Sequence, residues 1–160
     1  MPTTAAPSTH DQVLWQRYNA LLAVVPAMLD ERVRATTGLN HFQFGVLEML
    51  HRQPERRLQL ADVARASESS LSRLSHTVTR LEALGLVERQ ACDEDRRASW
   101  AVLTPAGAEM VDNASGVYET LMRDTLLDRI PVDQRENALA LLTALLPREV
   151  AEECTEIDGR

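Results

Sequence analysis

The stretch from Leu60 to Leu103 constrains the fold of this 160-residue chain more than any other segment. It reads as helix, turn, helix, strand, charged turn and strand, with β-prone pieces at 86–89 and 99–103. We predict that its first helix spans 58–66 and that its second begins after Ser70, whose hydroxyl can accept a backbone N–H of the first turn. Gly85 is predicted to end the second helix, because glycine adopts the left-handed conformation at little cost.

The second helix has one apolar and one polar face. Its apolar residues follow one another at spacings of three, four and three, which places them on one side: Leu71, Leu74, Val78 and Leu81. The other side carries Ser72, Arg73, Ser75, His76, Thr79 and Arg80. A helix with such a polar face, followed by a hairpin whose turn is Asp93-Glu94-Asp95-Arg96-Arg97, is typical of a winged helix-turn-helix that reads DNA.

Three pieces of this region, in this order and at this spacing, carry a family resemblance: SRLSHTVTRLEALGLVER, DEDRRAS and LTPAG. Together they resemble the MarR (multiple antibiotic resistance regulator) family of transcription regulators. The resemblance is densest over Leu60–Gly107, and the flanking helices agree with it in length and placement. It implies a homodimer that binds double-stranded DNA and represses transcription until a small molecule relieves the repression.

The N-terminal flank, 9–36, is predicted to form a long helix from about His10 to Thr36, with Thr9 as its cap. Thr9 and Gln12 have the spacing of a capping box, and Pro26 should kink the helix or split it near Val25. Asn40 and Gln43 are predicted to cap a following helix of about 11 residues.

The C-terminal flank is predicted to form two helices within 105–147. Thr104 and Pro105 mark the start of the first, which should run to about residue 129. Asp133 with Glu136 is predicted to cap the second, whose apolar face is Leu139, Leu142, Leu145 and Leu146.

The expected fold is therefore mainly α with a small β-hairpin wing, in a single domain over 1–160. A winged helix-turn-helix at 40–103 is flanked by dimerisation helices at 9–36 and 105–147. The apolar stripe of the first helix is too long for a small winged domain to cover, which indicates a partner chain. A two-fold dimer predicts a palindromic operator with half-sites about one helical turn apart.

The candidate DNA-binding residues are Ser70, Ser72, Arg73, Ser75, His76, Thr79, Arg80, Asp95, Arg96 and Arg97. Ser70 and Ser72 suit phosphate oxygens, although Ser70 has capping as an equal alternative, and Arg80 suits a phosphate or a nearby acid. Arg73 and His76 project from the turns that enter the major groove. The family pattern has Arg where this chain has His76, which implies a different base preference.

The resemblance also gives the wing turn a role. It implies that Asp95 orients one of Arg96 and Arg97 while the other enters the minor groove. The alternative is a solvated charged turn. The resemblance further implies a cleft for a small aromatic or phenolic ligand, for which Trp15, Tyr18, His41 and Phe42 are candidates, with ordinary core packing as the alternative.

Charge and composition limit the other function classes. The net charge is −7, but residues 51–97 hold nine Arg and eight acidic residues, whereas residues 98–160 hold five Arg and twelve acidic residues. No apolar run approaches ~18 residues and no signal peptide is evident, so we expect a cytoplasmic protein without a membrane partner. The histidines lack metal-ligand spacing and no Gly-rich phosphate loop is present, so we expect no enzyme, metal or cofactor.

Two alternatives remain open. A winged-helix module that binds proteins without specific DNA binding fits the acidic charge. A redox-responsive regulator would use Cys92 and Cys154, which are otherwise two reduced thiols.

Overall fold

The computed structural model describes residues 6–91, 99–148 and 150–151. Its helices and strands, in chain order, are α1 (Thr9–Thr37), α2 (His41–His51), β1 (Arg57–Gln59), α3 (Leu60–Ala66), α4 (Leu71–Ala83), β2 (Val87–Ala91), β3 (Ser99–Leu103), α5 (Pro105–Thr125) and α6 (Arg135–Leu145). Two short 3-10 turns, Leu127–Arg129 and Val132–Gln134, lie between α5 and α6. The predicted fold class, mainly α with a β wing, is confirmed.

Most of the predicted helix boundaries are present with the expected chemistry. Asn40 and Gln43 form a reciprocal capping box at α2, and Ser70 caps α4 by accepting the backbone N–H of Arg73 at 3.2 Å. Thr104 caps α5 ahead of Pro105. Gly85 follows the end of α4 with φ of 71°, which is the left-handed conformation predicted for this glycine.

The predicted start of α1 is wrong by one residue. The capping box is formed by Ser8 and Asp11 instead of Thr9 and Gln12. The Asp11 carboxylate accepts from the Ser8 backbone N–H at 2.8 Å, and a charged acceptor suits the positive end of a helix. The helix is unbroken through Pro26, so the predicted split is also wrong; one proline removes a single hydrogen bond from a helix of 29 residues.

The predicted cap of the last helix is wrong as well. Asp133 lies in a 3-10 turn, and α6 begins at Arg135 without a side-chain cap. The Arg135 guanidinium bonds back to the 3-10 turn at Leu127–Arg129, because its Nη2 donates to the Leu127 carbonyl at 2.8 Å. The helix before it ends at Thr125 instead of about residue 129, since Leu126 leaves helical geometry with φ of −131°.

A third strand accompanies the predicted hairpin. β1 pairs antiparallel with β3, which also pairs with β2, so that Ala101 lies between Leu58 and Arg89. The segment 57–59 was predicted to end a loop and begin a helix; it is extended because β3, more than 40 residues later, supplies its backbone partners.

The core lies where α2, α4, α5 and the sheet meet. Leu74, Val78 and Leu81 of α4 are fully buried, as predicted, together with Phe44 and Leu47 of α2. Leu71 was predicted to share that stripe but is 56% exposed, because it lies in the first turn of α4, ahead of the buried part of the helix. This packing fixes α4 by one face and leaves its polar face outside.

The terminal helices are packed far less completely. Leu14 in α1 is 66% exposed and Leu145 in α6 is 62% exposed, and α6 contains no buried residue. The C-terminal half of α1 packs on α5, where Arg32 forms an ion pair with Asp124 at 3.2 Å. Among the described residues, no helix is both long and apolar enough to cross a membrane.

Candidate nucleic-acid interface

The polar face of α4 lines an open groove on the surface. The groove has a volume of about 590 Å³, and its floor and walls come from the start of α2 and from α4: Asn40, Gln43, Ser70, Ser72, Arg73, His76, Thr77, Thr79 and Arg80. Six of the candidate DNA-binding residues are therefore neighbours in space as well as in sequence. Ser75, the seventh on this helix, is partly buried beside them.

Ser70 and Ser72 differ in what their hydroxyls do. Ser70 Oγ accepts the Arg73 backbone N–H, so its capping role is present in the structure. Ser72 is exposed in the first turn of α4, where backbone N–H groups and the helix dipole favour an anion.

Arg73 is exposed, but a contact with a neighbouring ring restricts the position of its guanidinium. It lies over the ring of Phe42, 4.4 Å from the ring centroid, in a cation–π contact between α4 and α2. Phe42 was predicted as a candidate ligand residue, and it lies against the reading face of α4. The pair restricts where the Arg73 guanidinium can point.

Ser75 and Thr79 are bound from the wing by a residue that the sequence analysis missed. Arg89 in β2 donates from Nη2 to Thr79 Oγ1 at 3.0 Å and to Ser75 Oγ at 3.2 Å. Its Nε also pairs with Glu82 Oε2 at 3.4 Å. The sequence signal that could have pointed to Arg89 is an arginine in the strand that follows the polar-faced helix. The partners of such an arginine, however, depend on the angle between the helix and the strand.

The four candidate ligand residues form two separate groups. The His41 backbone N–H donates to Asp30 of α1 at 2.7 Å, and its ring stacks on Tyr118 of α5 with centroids 6.2 Å apart. Trp15 and Tyr18 stack on each other, with centroids 5.7 Å apart, nearer the start of α1. At 1.5 Å per residue, Tyr18 lies about 18 Å along the helix from Asp30, so one small ligand cannot touch both groups of a single chain.

The junction of α1, α2 and α5 contains titratable groups shifted by burial. Burial lowers the pKa of His41, although the nearby Asp30 carboxylate opposes the effect. Burial also raises the pKa of Glu48 and the pKa of Tyr118. The neutral forms of these side chains are thus favoured at this junction.

Five residues of interest lie outside the described part of the chain. These are Asp95, Arg96 and Arg97 of the predicted wing turn and the two cysteines, Cys92 and Cys154. Their predicted roles stay predictions.

Comparison with known proteins shows which family this fold resembles. Residues 37–98, which span α2 to the wing turn, match the model of the MarR family. This part of the chain is similar to the MarR family. MarR proteins are transcriptional regulators, a class that generally has no enzymatic activity.

Solved MarR structures are similar over almost the whole chain. A MarR family transcriptional regulator from Streptomyces coelicolor, Sco3205, solved in complex with DNA, is 27% identical with a TM-score of 0.85, covering 93% of this chain and 96% of that one. AbsC, a MarR regulator from the same organism, is also 27% identical, with a TM-score of 0.81 and coverage of 98% and 100%. The S. aureus MepR–DNA complex shares the fold at 20% identity, with a TM-score of 0.72 and coverage of 80% and 95%.

Proposed function

We propose that this protein is a homodimeric, sequence-specific DNA-binding transcriptional regulator, and that it represses until a small-molecule effector relieves it. The observation that carries the proposal is the exposed groove along α4, which gathers Arg73, His76 and Arg80. The family match and the DNA complex of Sco3205 support it.

The groove residues suit distinct contacts with DNA. Arg73, held on Phe42, presents a planar fork that fits guanine O6 and N7, and His76 adds a second contact to a base edge. Ser72 and Arg80 suit phosphates on either side of the major groove. Asp95, Arg96 and Arg97 would extend the contact into the minor groove.

The terminal helices suit a second copy of the chain. The exposed apolar residues of α1 and α6 lie in the predicted dimerisation segments, 9–36 and 105–147, on either side of the DNA-reading segment 40–103. A two-fold dimer covers both helices and presents two α4 helices to a palindromic operator.

An effector would act where the dimerisation helices meet the reader. His41 contacts both α1 and α5, and the next residue, Phe42, supports Arg73. A small aromatic or phenolic ligand that binds beside His41 and Phe42 would shift α2 and with it the reading groove. Trp15 and Tyr18 suit a separate aromatic contact at the far end of α1.

Fluorescence anisotropy tests the proposal directly. The purified protein is titrated with DNA from upstream of its own gene and with a scrambled duplex of the same composition, at 50 and 200 mM salt. We expect preference for the upstream fragment and an affinity that falls ~10³- to 10⁵-fold over this salt range if the dimer makes ~6–10 phosphate contacts. A random-sequence selection locates the operator if it lies elsewhere, and a flat salt response with no selected sequence would favour a protein-binding module.

A further inference from the structure

We propose that Arg89 is a positioning residue of the DNA-reading surface: it ties the recognition helix α4 to the wing strand β2 and so sets the angle at which the two meet DNA. This inference rests on the proposed function. Arg89 belongs to β2, yet its polar side-chain partners among the described residues lie on α4.

The contacts of Arg89 span two turns of the helix. Its Nη2 donates to the Ser75 carbonyl at 2.6 Å, to Ser75 Oγ at 3.2 Å and to Thr79 Oγ1 at 3.0 Å. Its Nε lies 3.4 Å from Glu82 Oε2, while its backbone N–H donates to Glu82 Oε1 at 3.0 Å. Residues 75, 79 and 82 are four and three apart, so they share one face of α4. Both main chain and side chain of the wing residue are thus attached to one face of the helix.

The contacts of Arg89 with Ser75, Thr79 and Glu82 form a clamp between β2 and α4. The charges of this clamp are balanced and partly shielded from water. The side chains of Arg89 and Glu82 are each 32% exposed, and each neutralises the other at the base of the wing. The Arg89 guanidinium makes these contacts through Nη2 and Nε. Its planar fork suits the geometry, since it reaches Ser75 and Thr79 with one nitrogen and Glu82 with another.

The clamp also assigns different roles to two candidate DNA-binding hydroxyls. Thr79 Oγ1 accepts from Arg89 and donates its single hydrogen to the Ser75 carbonyl at 2.9 Å. Because phosphate oxygens and guanine O6 and N7 only accept, Thr79 has no hydrogen left for them and acts through Arg89. Ser75 Oγ accepts from Arg89, which leaves its own hydrogen for a DNA acceptor.

The decisive variant is Arg89→Lys, which keeps the charge and removes the fork. We expect the preference for the operator over a scrambled duplex to fall about tenfold, because charged hydrogen bonds that fix the helix are lost. The salt dependence should stay unchanged, because the number of phosphate contacts does not change. Arg32→Lys is the matched control: Arg32 also pairs with an acid, but on α1 against α5, and we expect it to keep the full preference.

The Thr79→Val variant provides a second test of the inference. If Thr79 acts through Arg89, the Arg89→Lys/Thr79→Val double variant should lose little more preference than Arg89→Lys alone. Thermal melts accompany each variant, since a residue that only stabilises the fold would lower Tm and leave the preference intact. An unchanged preference in Arg89→Lys overturns the inference. So does an equal loss on both duplexes with a salt slope reduced by about one, which marks a direct phosphate contact. An unaltered protein that prefers no sequence, even after selection, overturns the proposed function itself and this inference with it.

Discussion

At the scale of the residue, a contact with Phe42 links Arg73, which we propose to read a base, to the start of α2. Arginine loses much side-chain entropy when it is fixed on a base, and a ring that already restricts the guanidinium reduces that loss. Phe42 is half-buried and follows His41, which is attached to α1 and α5. The orientation of Arg73 therefore depends on the position of the first turn of α2.

Replacing the ring tests this dependence. In Phe42→Leu we expect the discrimination at the base pair read by Arg73 to fall roughly two- to fivefold, the equivalent of an exposed cation–π contact. Operators with single base substitutions, measured by anisotropy, give the discrimination position by position. Phe44→Leu is the matched control, because Phe44 is buried in the core and should lose stability without losing discrimination. Equal discrimination in Phe42→Leu and the unaltered protein would show that the ring does not position Arg73.

His41 gives the stability of the protein a pH dependence of known sign. Burial lowers the pKa of His41 below its usual 6.5, so the unfolded chain takes up a proton more readily than the folded one. The free energy of unfolding should therefore fall as the pH drops through 6.5 towards the lower pKa of the folded state. Burial of Glu48 acts with the opposite sign at pH values above 4.5, which is why a variant is needed to isolate His41.

Urea denaturation at pH 7.5 and 5.5, at one fixed protomer concentration, measures the effect. We expect His41→Gln to have a smaller loss of stability on acidification than the unaltered protein. His10→Gln changes an exposed histidine at the start of α1 and serves as the control. If His41→Gln and His10→Gln showed the same response to pH, His41 would not be its source.

Sequence patterns predicted which residues share the polar face of α4 better than they predicted the interactions among those residues. The polar face of α4 follows from helical spacing alone, and five of its six predicted members line one groove together with the cap residue Ser70. The pattern cannot show that Thr79 is engaged by Arg89 or that Phe42 supports Arg73. Those contacts join residues 10 and 31 positions apart and depend on how α4 packs against its neighbours.

At the scale of the element, local signals predicted boundaries well wherever one residue type dominates. Asn40, Ser70, Gly85 and Thr104 act as predicted because capping and the left-handed conformation are properties of a few residues. β1 was missed because three residues are too few for an alternating pattern, and its partner strand is distant in sequence. The start of α6 was missed because Arg135, the first residue of the helix, bonds back to the carbonyls of Leu127 and Ile130, contacts that the local Asp133 signal does not include.

The junction between the wing and α5 depends on the absence of one side chain. A Cβ added at Gly107 would overlap the carbonyl oxygen of Leu86 and lie 2.7 Å from Leu103 Cδ1. We therefore expect Gly107→Ala to lower the free energy of unfolding by about 1–3 kcal/mol, as measured by urea denaturation. Gly116→Ala is the control in the same helix, because its Cβ meets nothing within 4 Å. There the loss of backbone freedom should raise stability by about 0.5–1 kcal/mol. Destabilisation of both variants to the same extent would contradict close packing at Gly107.

At the scale of the whole molecule, the helices near the two ends of the chain expose apolar side chains, whereas the middle of the chain buries them. The core of the winged region is closed, whereas the apolar side chains of α1 and α6 face outwards over most of their length. Fully burying a leucine contributes about 1.5–3 kcal/mol, so several such residues together favour association strongly. The homodimer proposed above would cover these side chains with a second copy of the chain.

Leu142 of α6, which is 48% exposed, is the site for testing that partner. In Leu142→Glu a carboxylate would be placed in the apolar contact between protomers, where it would lose its hydration without gaining a cation, so we expect the dimer to dissociate into folded monomers. Sedimentation velocity at micromolar concentration reports the change in mass. Affinity for the full operator should fall at least ~10²-fold, because two linked reading heads bind far more tightly than one. Leu84→Glu is the control: Leu84 is 59% exposed at the end of α4, outside both terminal helices, and its replacement should leave the dimer intact. If the dimer survives Leu142→Glu, α6 does not form the interface. If both variants dissociate, the terminal helices are not the specific site of dimerisation.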